Sequence, residues 1–280
     1  MRYRYVVFAI TALAVALVGC PPPGGPHWYW QWGNAPGVGS YDEGPITETR
    51  DLESGARLDV SNDIGEVRVS GWNRDEVSIT YTKTVDMFQW NTGTLQPAQH
   101  YLDGIDIDVT VQAGGITVET AIDETVYNFS GFDRYDVAAK NRRGAAGVVP
   151  RVRYDIRVPK QLRLGVLQNV GDVRVQGVGG KLRVDLDVGD IEIVYPGEPE
   201  PQDRIECTMS VGDVDILLPA GSSFAVDASV DIGNIRAGDF PTLDVRRYGW
   251  TGAWCHDSVG SGGADIVVNI DVGDFTLSAY

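Results

Sequence analysis

A chain of 280 residues, 43% hydrophobic and 22% charged, has enough apolar material for a packed core and room for one large or two ordinary domains. Its 39 acids against 23 bases give a net charge of −16, a field that repels polyanions, and no basic cluster in the sequence offsets it, so nucleic acid is excluded as a partner. Three cysteines are too few for a disulfide scaffold, and each is read on its own.

The chain opens on MRYRY, with Arg2 and Arg4, followed by the apolar run VVFAITALAVALVG. A basic start and an apolar run too short for a bilayer span read as a secretory signal over 1–19. Its end, Leu17-Val18-Gly19-Cys20, resembles a bacterial lipobox. That resemblance implies cleavage before Cys20 and acylation of its thiol (palmitate among the acyl groups) and of the new amino group. Two or more acyl chains hold a protein stably to a membrane. Pro21 stands where an aspartate would signal retention at the inner membrane, so the expected location is the outer membrane, outside the cytoplasm. The other reading of this segment is an uncleaved anchor helix. Residues 20–48 are rich in Pro and Gly and read as a tether. Within it Trp28, Tyr29, Trp30 and Trp32 suit a membrane interface, packing on the domain itself, or stacking on a ligand.

From residue 49 to 280 the pattern is that of one β domain. Apolar residues alternate at Leu58 and Val60, at Val67 and Val69, through Ile105, Ile107, Val109 and Val111, and through Leu182, Val184, Leu186 and Val188. The segment VGDIEIV at 188–194 has relatives at Ile64, Val170, Val211, Ile232 and Val272. Their glycines, Gly171, Gly189, Gly212 and Gly233, are spaced 18, 23 and 21 residues apart; Gly273 follows 40 residues later, about two periods with one corner missing. A period near twenty with two short strands per repeat predicts an all-β β-solenoid of ~20-residue coils, similar to a parallel β-helix. A pair of β-sandwiches is the alternative.

The run LDVSNDIGEVRVSGWNRDEVSI, then YDIRVPKQLRLGVLQNVGDVRV and the serial Gly-Asp corners, resembles the bacterial adhesin-type β-strand-repeat domains, also called toastrack domains, over roughly 50–280. The resemblance implies a right-handed solenoid or stacked single-sheet fold in an envelope protein tied to adhesion or envelope stress, with no catalytic residues to carry over. Two stretches depart from the pattern: 86–104 reads as an inserted loop and 248–263 as an aromatic, cysteine-bearing excursion. Both are candidate binding surfaces.

The repeated acids have two readings. In the first, Gly65, Gly171, Gly189, Gly212, Gly233 and Gly273 turn the chain at positive φ, while Asp172, Asp190, Asp213, Asn234 and Asp274 hydrogen-bond the turn. In the second, stacked carboxylates hold a cation, although the nine-residue calcium-roll pattern is missing. The first reading is favoured, with no metal and no cofactor. It places Asp172, Asp190, Asp213 and Asn234 side by side and Asp274 further along.

Catalytic signals are thin. His27 lies in the tether, His100 in the inserted loop and His256 in Cys255-His256-Asp257, where alternation points Cys255 and His256 to opposite faces. Asp185, Asp187, Asp227 and Asp231 could line one face, as in a polysaccharide lyase or hydrolase. Cys207 and Cys255 form a candidate disulfide, provided 248–263 folds back to close a gap of about two coils. The expected function is non-enzymatic: a rigid surface for an envelope protein or glycan. A carbohydrate-active enzyme is the alternative.

Overall fold

The computed structural model describes residues 39–89, 96–127, 146–249 and 251–280. The signal segment 1–19, Cys20, the aromatic run of the tether and most of 135–147 lie outside these residues. Contacts divide the chain into two compact units: residues 1–43, 83–106 and 121–151 in one, and 44–82, 107–120 and 152–280 in the other. Among the described residues are eighteen strands and two short helices, so the fold is all-β, built as an open sheet and not a closed barrel.

The strands are β1 (Gly39–Asp51), β2 (Arg57–Trp72), β3 (Glu76–Gln89), β4 (Ile105–Gln112), β5 (Gly115–Ile122), β6 (Ala146–Pro159), β7 (Gln161–Val170), β8 (Val173–Gln176) and β9 (Gly179–Val188). They continue as β10 (Ile191–Val194), β11 (Arg204–Val211), β12 (Val214–Leu218), β13 (Phe224–Ile232), β14 (Ile235–Arg236), β15 (Arg246–Tyr248), β16 (Gly252–Val259), β17 (Ala264–Val272) and β18 (Phe275–Ala279). The helices are α1 (Ala98–Leu102) and α2 (Glu124–Tyr127). β1 corrects the tether boundary, because residues 39–48 are strand despite their Gly and Pro content.

In the first unit, α1 and α2 meet through Tyr101 and Tyr127, whose rings lie 5.8 Å apart; the Tyr127 hydroxyl donates to the Tyr101 carbonyl. Asp123 holds the start of α2 by accepting the Thr125 amide at 2.8 Å. Arg151 pairs with Asp86 at 2.6 Å. The inserted loop predicted at 86–104 is thus the end of β3 and the helix α1, with residues 90–95 outside the description.

The second unit is built from one repeated element: a strand, a Gly-Asp corner, and a second strand leaving it. The first strands form sheet B, in the order β5–β2–β7–β9–β11–β17–β13, with every pair parallel. The second strands form sheet A, in the order β6–β2–β8–β10–β12–β18–β14, also parallel. β2 serves both sheets because it bends at Gly65. Parallel stacking of like strands differs from the antiparallel meanders of a sandwich.

Alternation supplies the core. On sheet B, Leu58, Leu164, Leu182, Ile205, Ile266 and Val226 stand in one register row, each no more than 3% exposed. On sheet A, Val67, Val173, Ile191, Val214, Phe275 and Ile235 do the same, each no more than 9% exposed. Each such side chain contributes roughly 1.5–3 kcal/mol on burial, so the rows zip neighbouring repeats together. A buried polar group at the first corner is fully partnered: Gln168 Nε2 donates to the Gly65 carbonyl at 2.7 Å, and Asn62 Nδ2 donates to the Val152 carbonyl at 3.1 Å. Thr120 donates to Asn62 Oδ1 at 3.1 Å and meets the Tyr154 hydroxyl at 2.7 Å.

Sheet B shows an order the repeat spacing hides. β17 lies between β11 and β13, so the last repeat inserts between two earlier ones. The chain leaves β14, runs through β15 and β16, and returns. β16 pairs antiparallel with β13, and β15 antiparallel with β16. The 248–263 stretch is therefore mainly an antiparallel strand along the border of sheet B, where an excursion was expected.

A candidate binding face on sheet B

The corners come first, because they fix where every outward side chain points. Gly171, Gly189, Gly212, Gly273 and Gly233 stack in that order at φ between +124° and +149°. A Cβ on Gly212 would lie 1.6 Å from the Gly189 carbonyl oxygen, so the repeats approach closely enough to exclude any side chain. The carboxylates reach forward along the stack. Asp172 Oδ1 accepts the Asp190 amide at 3.3 Å, and Asp190 Oδ1 accepts the Asp213 amide at 3.1 Å. Asp213 Oδ1 accepts the Asp274 amide, and Asp274 Oδ1 the Asn234 amide, both at 2.8 Å. Asp274 therefore stands between Asp213 and Asn234, not further along, because β17 and β18 are inserted there. Its carboxyl is held below its ordinary pKa: burial pushes upward but is outweighed by hydrogen bonds from Asn234 and by Arg236 at 2.8 Å. At the first corner the acid is Glu66, next to Gly65, and it binds Arg68 at 2.7 Å.

The same insertion settles the cysteines. Cys207 registers with Val268, Val268 with Ala228, and Ala228 with Cys255. Three strand spacings amount to ~14 Å, twice the ~7 Å that a disulfide spans. Both thiols are free and buried, which corrects the candidate bridge. Burial pushes Cys207 up to about 12 and Cys255 up to about 11, with nearby acids adding to the rise.

Cys255 points inward and His256 outward, where it lies 3.6 Å from Asp227 across the β13–β16 pair. His100 packs edge-on against Tyr101. The four acids considered for catalysis do not converge: Asp185 and Asp187 are on β9, Asp227 and Asp231 on β13, with β11 and β17 between. Between the two strands that separation, again ~14 Å, exceeds the 6.5–9.5 Å of an inverting pair, so Asp185 and Asp187 cannot pair with Asp227 and Asp231.

The outward face of sheet B holds what the spacing of the sequence did not show. Arg57 on β2, Arg163 on β7, Lys181 on β9 and Arg204 on β11 stand in one register row. One step along, Asp59, Gly165, Arg183 and Glu206 form the next. With no side chain at Gly165, a concavity of about 500 Å³ opens over it, bordered by Arg57, Asp59, Arg163, Lys181, Arg183 and Asp185. Arg57 pairs with Asp59 at 2.6 Å and Arg183 with Asp185 at 2.8 Å. Among the described residues, Arg163 and Lys181 have no carboxylate within ion-pair distance. Leu167, 53% exposed, forms an apolar shelf at the border. The opposite end of the face is acidic: Asp187 and Asp271 are both raised by burial, Asp271 also by Asp231. On β16, Trp254 is exposed and carries the Arg246 guanidinium 5.5 Å above its ring. The row of cations went unseen in the sequence because its members are far apart in the chain and only register brings them together.

Residues 47–278 match the model of one protein family, Toastrack DUF4097. No curated protein matches the chain. Among solved structures, a "putative cell adhesion protein" from Clostridium sporogenes is 14% identical, with a TM-score of 0.49 over 85% of this chain and 100% of that one. A "putative adhesin" from Bacteroides fragilis is 12% identical, with a TM-score of 0.31 over 84% and 96%. A "putative lipid binding protein" from Parabacteroides distasonis is 9% identical, with a TM-score of 0.20 over 84% and 96%.

Proposed function

The chain belongs to the Toastrack DUF4097 family, and from that premise we propose that it is a non-enzymatic adhesion protein of the cell envelope, presenting the outward face of sheet B to an envelope protein or glycan. The observation that carries this reading is the division of labour on sheet B. Inward residues are spent on the core rows and the corner acids on hydrogen bonds between repeats, while one end of the outward face carries a cation-lined concavity. A stacked β frame holds such a face rigid, and binding surfaces of repeat proteins are extended in this way. The finer fold reading, a β-solenoid of ~20-residue coils, is supported by the in-register glycine corners and the two parallel sheets.

Membrane attachment belongs to the same proposal. Acylation at Cys20 would hold the domain to the membrane outside the cytoplasm. Crosslinking the full chain in cells, followed by mass spectrometry, tests both parts. The expected result is acylated Cys20 together with a reproducible envelope partner, and a Cys20→Ser variant that leaves the membrane fraction. Capture of no partner above background, in a strain where the protein is abundant, sinks the adhesion reading.

A further inference from the structure

We infer that the concavity over Gly165 binds a carboxylate-bearing glycan, an acidic polysaccharide chain of the uronate type. The inference rests on the adhesion reading above and names the ligand class of that face. Four cations, Arg57, Arg163, Lys181 and Arg183, border the concavity against two carboxylates, Asp59 and Asp185, and even with Glu206 counted, 3.7 Å from Arg183, the local charge stays positive on a chain of net −16. Arg163 and Lys181 are exposed and have no carboxylate partner among the described residues, so their donors face solvent, where a ligand can reach them. The pair stands directly opposite in register, one strand spacing or ~4.8 Å apart. Arg57 extends the row by one further spacing. Evenly spaced cations of this kind match a chain whose negative charges recur, more closely than they match a lone anion.

The remaining groups suit a sugar. Asp59, held by Arg57 through Oδ2, turns Oδ1 over Gly165, where it can accept from hydroxyl groups. Asp185, held by Arg183, offers a second acceptor on the far side. A phosphate-dense ligand would meet repulsion from both acids. Leu167 presents an apolar surface to the C–H face of a ring. A volume of about 500 Å³ lies within the usual ~300–1,000 Å³ of ligand sites. A bilayer is the weaker fit. Its plane of anionic headgroups would also meet Asp187, Asp231 and Asp271 at the other end of the same face, ~13 Å or more from Arg183, whereas a slender chain engages the basic row alone.

The test uses the full-length chain in mild detergent and a fluorescently labelled galacturonate oligomer, read by anisotropy between low and physiological salt. The fully methyl-esterified oligomer, phosphatidylglycerol vesicles and inorganic phosphate are the comparison probes. We expect the acidic oligomer to bind, to weaken as salt rises, and to exceed its neutral ester by at least tenfold. Arg163→Glu with Lys181→Glu should lower its affinity at least tenfold. Arg157→Glu with Lys160→Glu, the same charge change at exposed positions elsewhere, should leave it within about twofold. Both side chains of the first pair are exposed, so unchanged far-UV circular dichroism is expected. Equal binding of acidic and neutral oligomers, no loss in the R163E/K181E variant, an equal loss in the R157E/K160E variant, or binding confined to vesicles or phosphate each overturns the inference. Envelope-partner capture that persists beside such a result would refute only the ligand class, whereas its absence would refute the adhesion reading itself.

Discussion

Replacing Gly212 by alanine strikes the stack at one of its closest approaches. The residue sits at φ +139°, and the new Cβ would overlap the Gly189 carbonyl oxygen at 1.6 Å. Two costs add. A non-glycine residue in that backbone region costs roughly 1–3 kcal/mol. Relieving the overlap forces neighbouring repeats apart, weakening the Gly189 N–H to Val211 carbonyl bond at 3.1 Å and the Asp213 amide to Asp190 bond at 3.1 Å. Each of those contributes about 0.5–1.5 kcal/mol. The expected total loss is about 2–6 kcal/mol, read as a lower denaturation midpoint in guanidinium by far-UV circular dichroism. Gly197→Ala is the control, since nothing lies within 4 Å of its Cβ position, and it should stay within about 0.5 kcal/mol of the parent. If Gly212→Ala falls within about 1 kcal/mol of that control, the close-approach argument is wrong.

The corner carboxylates predict an ordering at Asp213. Asparagine keeps an acceptor for the Asp274 amide and should cost little, while alanine should cost about 1 kcal/mol; equal losses for both would show that charge, not the hydrogen bond, matters there. The Asp271 carboxyl is raised above its ordinary pKa of 3.8 by burial and by Asp231, so the folded state holds its proton more tightly than the unfolded one. Stability at this site is therefore greatest below 3.8 and falls as pH rises through the raised value. Asp271→Asn should accordingly raise the melting midpoint at pH 7 and give no gain below that range; a gain that is constant with pH would contradict the assignment. A thiol reagent at pH 8 should label neither Cys207 nor Cys255 in the native protein, because both are buried with raised pKa values. Unfolding should release two thiols when Cys20 is acylated and three when it is not; finding neither Cys207 nor Cys255 reactive after unfolding would restore the disulfide.

Much of the fold was legible because each local choice agrees with the next. Leu182, Val184, Leu186 and Val188 alternate inward, and Ile191 and Ile193 resume the pattern beyond the corner, at 9% exposure or less throughout. Gly189 marks that corner because only glycine fits both its φ and its neighbour. Stacking order was not legible. The 40 residues between Gly233 and Gly273 read as a missing corner, yet the chain spends them on β15 and β16 before β17 slips back between β11 and β13. Period counting measures distance along the chain and carries no information about which repeats touch. β1 was missed because Gly and Pro are poor strand formers, and context overrode that preference. The binding face was missed for a different reason. Outward positions carry no periodic signal, and Arg57, Arg163 and Lys181 become neighbours only through parallel register.

The central claim, that the outward face of sheet B meets a partner, is tested most directly by site-specific photocrosslinking in cells. A photoreactive residue at Leu167, exposed beside the concavity, is compared with one at Glu192, exposed on the outward face of sheet A. The account predicts a crosslinked envelope glycan or protein from position 167 and at most background from position 192. Equal yields from the two positions, or a product from 192 alone, would contradict it.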